Sequence, residues 1–311
     1  MMKMNTQGWA ALTLALLTST AALAQEEVSG TIQIGDGQRE YPESITSTAD
    51  GAIYSGSLRD GAIYIALPGA AQAAMMIPSP TTGPAATFGV HADESSNTLW
   101  ACYADMASFA GTGQPSVLRG YDLTSGAEKI AITLDGKNLC NDIATTADGT
   151  AYVADTIGAA IYRVAPGASE AAIWAQDESM AGADGLDFGP DGALYVNSVT
   201  TGKLFRIDVQ ADGTAGAINE LAVSEPLTGP DGMRFGANGK LYVTENALGR
   251  VTELTIDGDT ATARPLPGPK YQFPTGVTFV GDTLYVLEAK LDTLGAEADP
   301  GAFSVYPAAI D

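Results

Sequence analysis

The sequence predicts an all-β fold, a single six-bladed propeller, and three observations predict it. A short phrase recurs six times at spacings of 43–52 residues. Most copies are followed by two further strand-like runs, such as 160–165 then 171–175, or 203–209 then 217–223. No stretch beyond the first residues shows convincing helical periodicity. Four strands in a repeat of about 45 residues is the pattern of a propeller blade rather than of a helical solenoid.

Taken in order, residues 1–24 read as an export signal. Lys3 gives the positive start, Ala10–Leu17 is apolar, and Ala22-Leu23-Ala24 before Gln25 has the small-x-small form of a cleavage site. The apolar run falls short of the roughly 20 residues a membrane span needs. The expected product is periplasmic or secreted, with no membrane attachment once the leader is removed. Val28–Ile34 follows as an orphan strand. The six copies are Pro42–Ser55, Phe88–Cys102, Cys140–Ala154, Ala183–Asn197, Pro230–Thr244 and Pro274–Leu287.

Each copy joins an apolar strand, a turn and a strand ending in a Leu-Tyr-Val type triplet. Asp-Gly or Asn-Gly pairs at 50–51, 148–149, 191–192 and 238–239 suit tight hairpins, because these residues tolerate positive φ. Tyr54, Trp100, Tyr152, Tyr195, Tyr242 and Tyr285 occupy one repeat position and read as core packing. After the sixth copy only one more strand, 302–307, is evident. Val28–Ile34 is therefore expected to complete the last blade, closing the ring and removing an exposed edge. Residues 25–311 then form one domain, with 288–301 as a solvated insertion in the last blade.

Composition narrows the function. Thirty-seven Asp and Glu against 15 Lys and Arg leave a formal charge of −22, which argues against nucleic acid as a partner. At 45% hydrophobic and 17% charged, the chain is also far from the composition of disorder. In an oxidising compartment Cys102 and Cys140 fit either one disulfide or two buried thiols. There is no CxxC, so neither a zinc knuckle nor a thioredoxin-type motif is supported.

The repeat also aligns chemistry. The inner strands of a propeller run the same way around a channel, so equivalent positions form a ring at one height. The second residue of each copy gives Glu43, Gly89, Asn141, Asp184, Asp231 and Thr275. Acids beside glycine, as in Asp184-Gly185 and Asp231-Gly232, are common turn formers. Glu43 and Asn141 have no glycine after them, however, and are of ligand type too. Three acids converging on one axis repel unless a cation compensates them. An all-oxygen set suits calcium, with magnesium or another divalent cation as the alternative, and argues against zinc or copper.

At these residues the sequence resembles the gluconolactonase, senescence marker protein and luciferin-regenerating enzyme family of six-bladed, calcium-dependent hydrolases, from about Val28 to Pro307. The resemblance implies Glu43 of Tyr41-Pro42-Glu43 as a metal ligand and matches Asn141-Asp142 to the Asn-Asp pair that opens the third blade. It puts Asp184-Gly185 where the family has Asn-Gly, and Pro230-Asp231-Gly232 where a Pro-Asp-Gly supplies a ligand and an acid–base group. Two positions depart from the family: Asp184 makes one ligand anionic, and Leu139 stands where sugar lactonases often carry Arg.

The implied function is hydrolysis of a small-molecule lactone or ester, with Glu43, Asn141, Asp184 and Asp231 holding the metal. Asp231, or less readily Asp142, would take the proton from water. No GxSxG elbow supports a serine hydrolase, and His91 is the one histidine in the chain. The alternative is a non-catalytic periplasmic propeller with a structural metal, binding a ligand or protein on its rim. A strictosidine-synthase-like condensing enzyme shares the fold but has no need of three channel acids.

Overall fold

The computed structural model describes residues 30–37, 40–136 and 138–310, and the expected leader lies outside them. Six four-stranded blades surround a channel. From the channel outward, blade 1 is Pro42–Ser47, Ile53–Ser57, Ile63–Ala66 and Gln72–Ile77. Blade 2 is Ala86–Asp93, Thr98–Ala104, Val117–Asp122 and Glu128–Thr133. Blade 3 is Cys140–Thr145, Ala151–Asp155, Ala160–Val164 and Ala172–Gln176. Blade 4 is Ala183–Phe188, Leu194–Ser198, Leu204–Val209 and Ala215–Glu220.

Blade 5 is Pro230–Phe235, Leu241–Glu245, Arg250–Asp257 and Thr260–Pro265, with a short parallel strand, Ala222–Val223, added at its outer edge. Blade 6 is Pro274–Val280, Thr283–Glu288, Phe303–Ala308 and, as its fourth strand, Ile32–Ile34. That last strand pairs antiparallel with Phe303–Val305, as the orphan strand was expected to, and also meets blade 1 through Gln33 and Gln72.

The hairpins have a different geometry from simple two-residue turns. In blade 1 the Gly51 amide donates to Thr48 O and the Thr48 amide to Ala52 O, and Gly51 alone takes positive φ, 93°. The same pattern recurs at 146–150, 189–193 and 236–240. This is a type I turn closed by a left-handed glycine, so the residue before it serves by side chain instead. Asp50 accepts hydrogen bonds from Thr48 Oγ1 and the Ala52 amide. The recurring aromatics pack as the repeat predicts. Tyr152, Tyr195 and Tyr242 meet Phe188, Phe235 and Phe279 of the following blade edge-on, at 5.2–5.4 Å between ring centres.

The ring position is built by a β-bulge that every inner strand carries. Pro42 pairs with Ser57 and Ile45 with Ser55, so three steps on the inner strand match two on its neighbour. Equivalent shifts fall between Cys140 and Ile143, Ala183 and Leu186, Pro230 and Met233, and Pro274 and Gly276. A bulge turns side chains away from the ordinary alternation of a strand. Here it lies at Glu43, Asn141, Asp184, Asp231 and Thr275.

Blade 2 corrects the sequence register. Its bulge lies between Thr87 and Val90, and His91 pairs with Trp100 where Thr46 pairs with Tyr54. The turn of blade 2 is one residue longer, which places Phe88, not Gly89, at the ring. Gly89 instead aligns with Gly185, Gly232 and Gly276, and none of these four takes a left-handed φ. They are glycines because blades touch there. A Cβ would come 1.9 Å from Asn141 O at Gly89, 2.3 Å from Asp231 O at Gly185, and 2.5 Å from Thr275 O at Gly232. The Asp-Gly pairs of the ring are close approaches between neighbouring blades, not turns.

In five of the six blades the residue ending the second strand fixes the chain as it enters the inner strand of the same blade. Asp155 accepts from the Leu139 amide, Glu245 from Thr228 and Glu288 from Gln272, while Ser57 and Ser198 donate to Glu40 O and Ala181 O. Cys102 and Cys140 are bonded to each other and buried, tying blade 2 to the residue before Asn141. Opening a bond across 38 residues is expected to cost about 3–4 kcal/mol through the entropy returned to the unfolded chain. Urea unfolding of Cys140→Ser against the parent chain measures this as a lower midpoint with little change in slope.

Candidate metal centre

Glu43, Asp184 and Asp231 bring carboxylate oxygens within 4.8 Å of one another at the mouth of the channel, and all three are buried. Asn141 joins them: its Nδ2 donates to Asp184 Oδ2 at 2.8 Å and to Thr156 Oγ1 at 3.0 Å, leaving Oδ1 as the atom able to face a cation. Asp231 is held by the Gly232 amide on Oδ1 at 2.9 Å and by Asn246 Nδ2 on Oδ2 at 3.1 Å. Asn197 braces the same strand through Nδ2 to Asp231 O.

The electrostatics match this crowding. Burial, then the charges of Asp231 and Asp142, push the Glu43 carboxyl well above the usual range. Burial and the neighbouring Asp231 and Glu43 do the same to Asp184. Burial lifts Asp231 to about 7 against the opposing hydrogen bonds from Asn246 and Gly232. Without a cation the cluster retains protons near neutrality. Glu43 Oε2, Thr275 Oγ1 and Asn197 Oδ1 are buried with no hydrogen-bond partner. Buried acceptors without donors cost free energy unless a ligand satisfies them. A hard divalent cation suits this oxygen set.

Asp142 is not with the cluster. Arg234 grips it with Nη1 on Oδ2 at 2.6 Å and Nη2 on Oδ1 at 2.9 Å, while the Ile143 and Leu186 amides donate to the same two oxygens. Four donors occupy the carboxylate, so it has no position free to take a proton from water. Its role is to anchor blades 3, 4 and 5 to each other. Arg234 was not singled out from the sequence, although it is the one arginine at a repeat position filled elsewhere by Thr46, His91, Ala144, Asp187 and Thr278.

Those residues form a second ring deeper in the channel. Asp187 accepts from the Phe188 and Phe235 amides, and burial raises it to about 6. His91 meets Thr145 Oγ1 through Nε2 at 3.0 Å, and burial followed by the Arg234 charge lowers it to about 4. It is neutral at pH 7. Asn246 and Asn197 were also missed, because each lies outside the inner strands on which the repeat reading concentrated.

Residues 127–290, just over half of the chain, match the family described as SMP-30/gluconolactonase/LRE-like region. The chain belongs to that family. Solved structures share the family fold at low identity. A gluconolactonase from Xanthomonas campestris is 17% identical over 87% of each chain, with a TM-score of 0.61. A luciferin-regenerating enzyme is 14% identical over 90% of this chain and 95% of its own, with a TM-score of 0.65. The allergen Mala s 1 of Malassezia sympodialis is 17% identical over 89% and 95%, with a TM-score of 0.68. No curated protein sequence matches significantly. Sharing the propeller fold does not by itself assign an activity.

Proposed function

We propose that this chain is an exported, calcium-dependent hydrolase of a lactone or related ester. The observation that carries the reading is the buried Glu43, Asp184 and Asp231 cluster, three acids that need a shared cation. Membership of a family that includes gluconolactonases supports the reaction class, and the Cys102–Cys140 bond together with the expected leader supports export.

Glu43, Asn141, Asp184 and Asp231 would hold the ion. A bound calcium would supply Lewis acidity to the substrate carbonyl and compensate charge that develops on its oxygen. Asp231 would accept a proton from the attacking water, a role supported by its place in the cluster and by the Gly232 and Asn246 donors that orient it. Arg234 and Asp142 keep the bulged strands of blades 3 and 5 in register beneath it.

Calorimetric titration of calcium into the chelator-treated mature protein tests this. Micromolar or tighter binding is expected, weakened at least about tenfold by Glu43→Gln, which removes one anionic oxygen ligand. Absence of binding would overturn both the metal and the hydrolase.

A further inference from the structure

One position in the ring around this site differs from the rest. At five of the six ring positions the side chain carries a polar oxygen, but blade 2 supplies Phe88 next to Asn141 and Glu43. Above it, the loop leaving the second strand of blade 2 forms a short 3-10 helix, Met106–Ala110. Asp105 caps the helix by accepting from the Ala107 amide, and Gly111 ends it at a φ of 72°. The result is that Phe109 stands 59% exposed, with its ring 6.3 Å from that of Phe88. A capped helix holding a large apolar side chain in solvent has no packing reason of its own.

Nor is Phe109 alone. Among the described residues eight large hydrophobic side chains are exposed, and Met106, Phe109, Ile157, Leu248 and Leu294 all lie on loops that join second to third strands. These loops surround the ring, because the second strand of each blade ends opposite the start of its inner strand. In a chain of charge −22, clustering at the one end that carries the cation site points to something apolar that comes there.

The opposite side of the mouth offers hydrogen-bonding groups among apolar ones. Between blades 5 and 6 a cavity of about 570 Å³ is lined by Asn246, Lys270, Gln272 and Asp292 together with Tyr271 and Phe273. Asn246 is also the residue that donates to Asp231, so this cavity adjoins the carboxylate cluster. A ligand whose reacting group lies at the cluster thus has hydrogen-bonding groups within reach in that cavity and the exposed Phe109 ring above blade 2.

Resting on the hydrolase reading above, we infer that the substrate is amphipathic: a lactone or ester whose carbonyl group lies at Glu43, Asp184 and Asp231 and whose unbranched alkyl substituent lies against the exposed ring of Phe109 above blade 2. A polyhydroxylated sugar lactone would leave the exposed ring of Phe109 in water, Phe88 beneath it being already buried. The substituent covers that ring.

The test uses the mature, calcium-loaded protein and γ-lactones from γ-butyrolactone to γ-decalactone. Each methylene that reaches the Phe109 ring is expected to raise kcat/KM by up to about fourfold. Phe109→Ser is expected to lower the decalactone-to-butyrolactone ratio of kcat/KM about tenfold, the worth of roughly two buried methylenes. Leu67→Ser, an exposed apolar residue at the far end of blade 1, serves as the control and keeps the parent ratio. Hydrolysis without a chain-length trend, or a trend that Phe109→Ser leaves intact, overturns the inference while the hydrolase stands.

If no lactone is turned over, calorimetry with the corresponding γ-lactams separates the two readings. Tighter binding of longer lactams, lost in Phe109→Ser, keeps the alkyl site and removes the hydrolase; no length dependence removes the alkyl site as well. Binding to phosphatidylcholine vesicles that requires Phe109, with a flat lactone series, overturns the inference in favour of a lipid surface.

Discussion

Asp231→Asn is expected to lower kcat/KM for lactone hydrolysis about a thousandfold, within the range a positioned general base contributes. The amide keeps an oxygen at the ligand position but has no basicity, so calcium binding should weaken far less than turnover. Two neighbouring substitutions make the result specific. Asp184→Asn also removes a carboxylate from the cluster, yet Asp184 accepts a hydrogen bond from Asn141 and is not assigned the proton. It should weaken calcium binding and leave most of the turnover at saturating calcium. His91→Ala should leave both calcium binding and turnover largely as they are, because the imidazole is neutral, sits in the deeper ring and bonds to Thr145. Steady-state kinetics beside calcium titrations of the three variants decide the matter. Equal losses in Asp231→Asn and Asp184→Asn would make both mere ligands. A parent protein that binds calcium but hydrolyses no lactone or ester would be a binding propeller with a structural ion.

The second large effect is on stability. Chelating the cation at pH 7.5 is expected to lower Tm by about 10 °C. Millimolar calcium against a micromolar Kd contributes about 4 kcal/mol, and a domain of this size shifts by about 2–4 °C per kcal/mol. The sign of the pH dependence follows from the raised carboxyls. Asp231 titrates near 7 in the folded chain and at its ordinary value of 3.8 when unfolded, so between these pH values the folded state binds more protons. The cation-free protein therefore loses stability as pH rises from about 4 through 7, and Glu43 and Asp184 act in the same direction. Calcium replaces those protons and should reverse the trend. Thermal melts from pH 5 to pH 8.5, with and without chelator, measure both slopes. A cation-free protein more stable at pH 8 than at pH 5.5 would show that the cluster is not buried as described.

Much of this was legible in the residues. The six copies predicted the blades and the orphan strand predicted the closure, because each blade repeats one pattern of apolar alternation and turn chemistry. The repeat also brought Glu43, Asn141, Asp184 and Asp231 to one height. What it hid was geometry that sequence spacing does not carry. A turn longer by one residue slid blade 2 out of register, although Gly89, aligned with Gly185 and Gly232, marked the true position. The pairing of Asp142 with Arg234 spans 92 residues and joins blades 3 and 5 across the channel, so no local pattern announces it. Asn246 acts from a loop whose residues differ from blade to blade.

The closure of blade 6 has a consequence for how the molecule is made. Ile32 pairs with Val305, so nearly the whole chain must be available before the ring is complete. Contacts of such long sequence separation make folding slow, and until they form, the Phe303–Ala308 strand of blade 6 presents an unpaired edge. A chain emerging N-terminus first holds Glu43 from its first blade long before Asp231 exists. The oxygen donors from blades 1, 3, 4 and 5 come within reach of a single ion when the strand made first meets the strand made last.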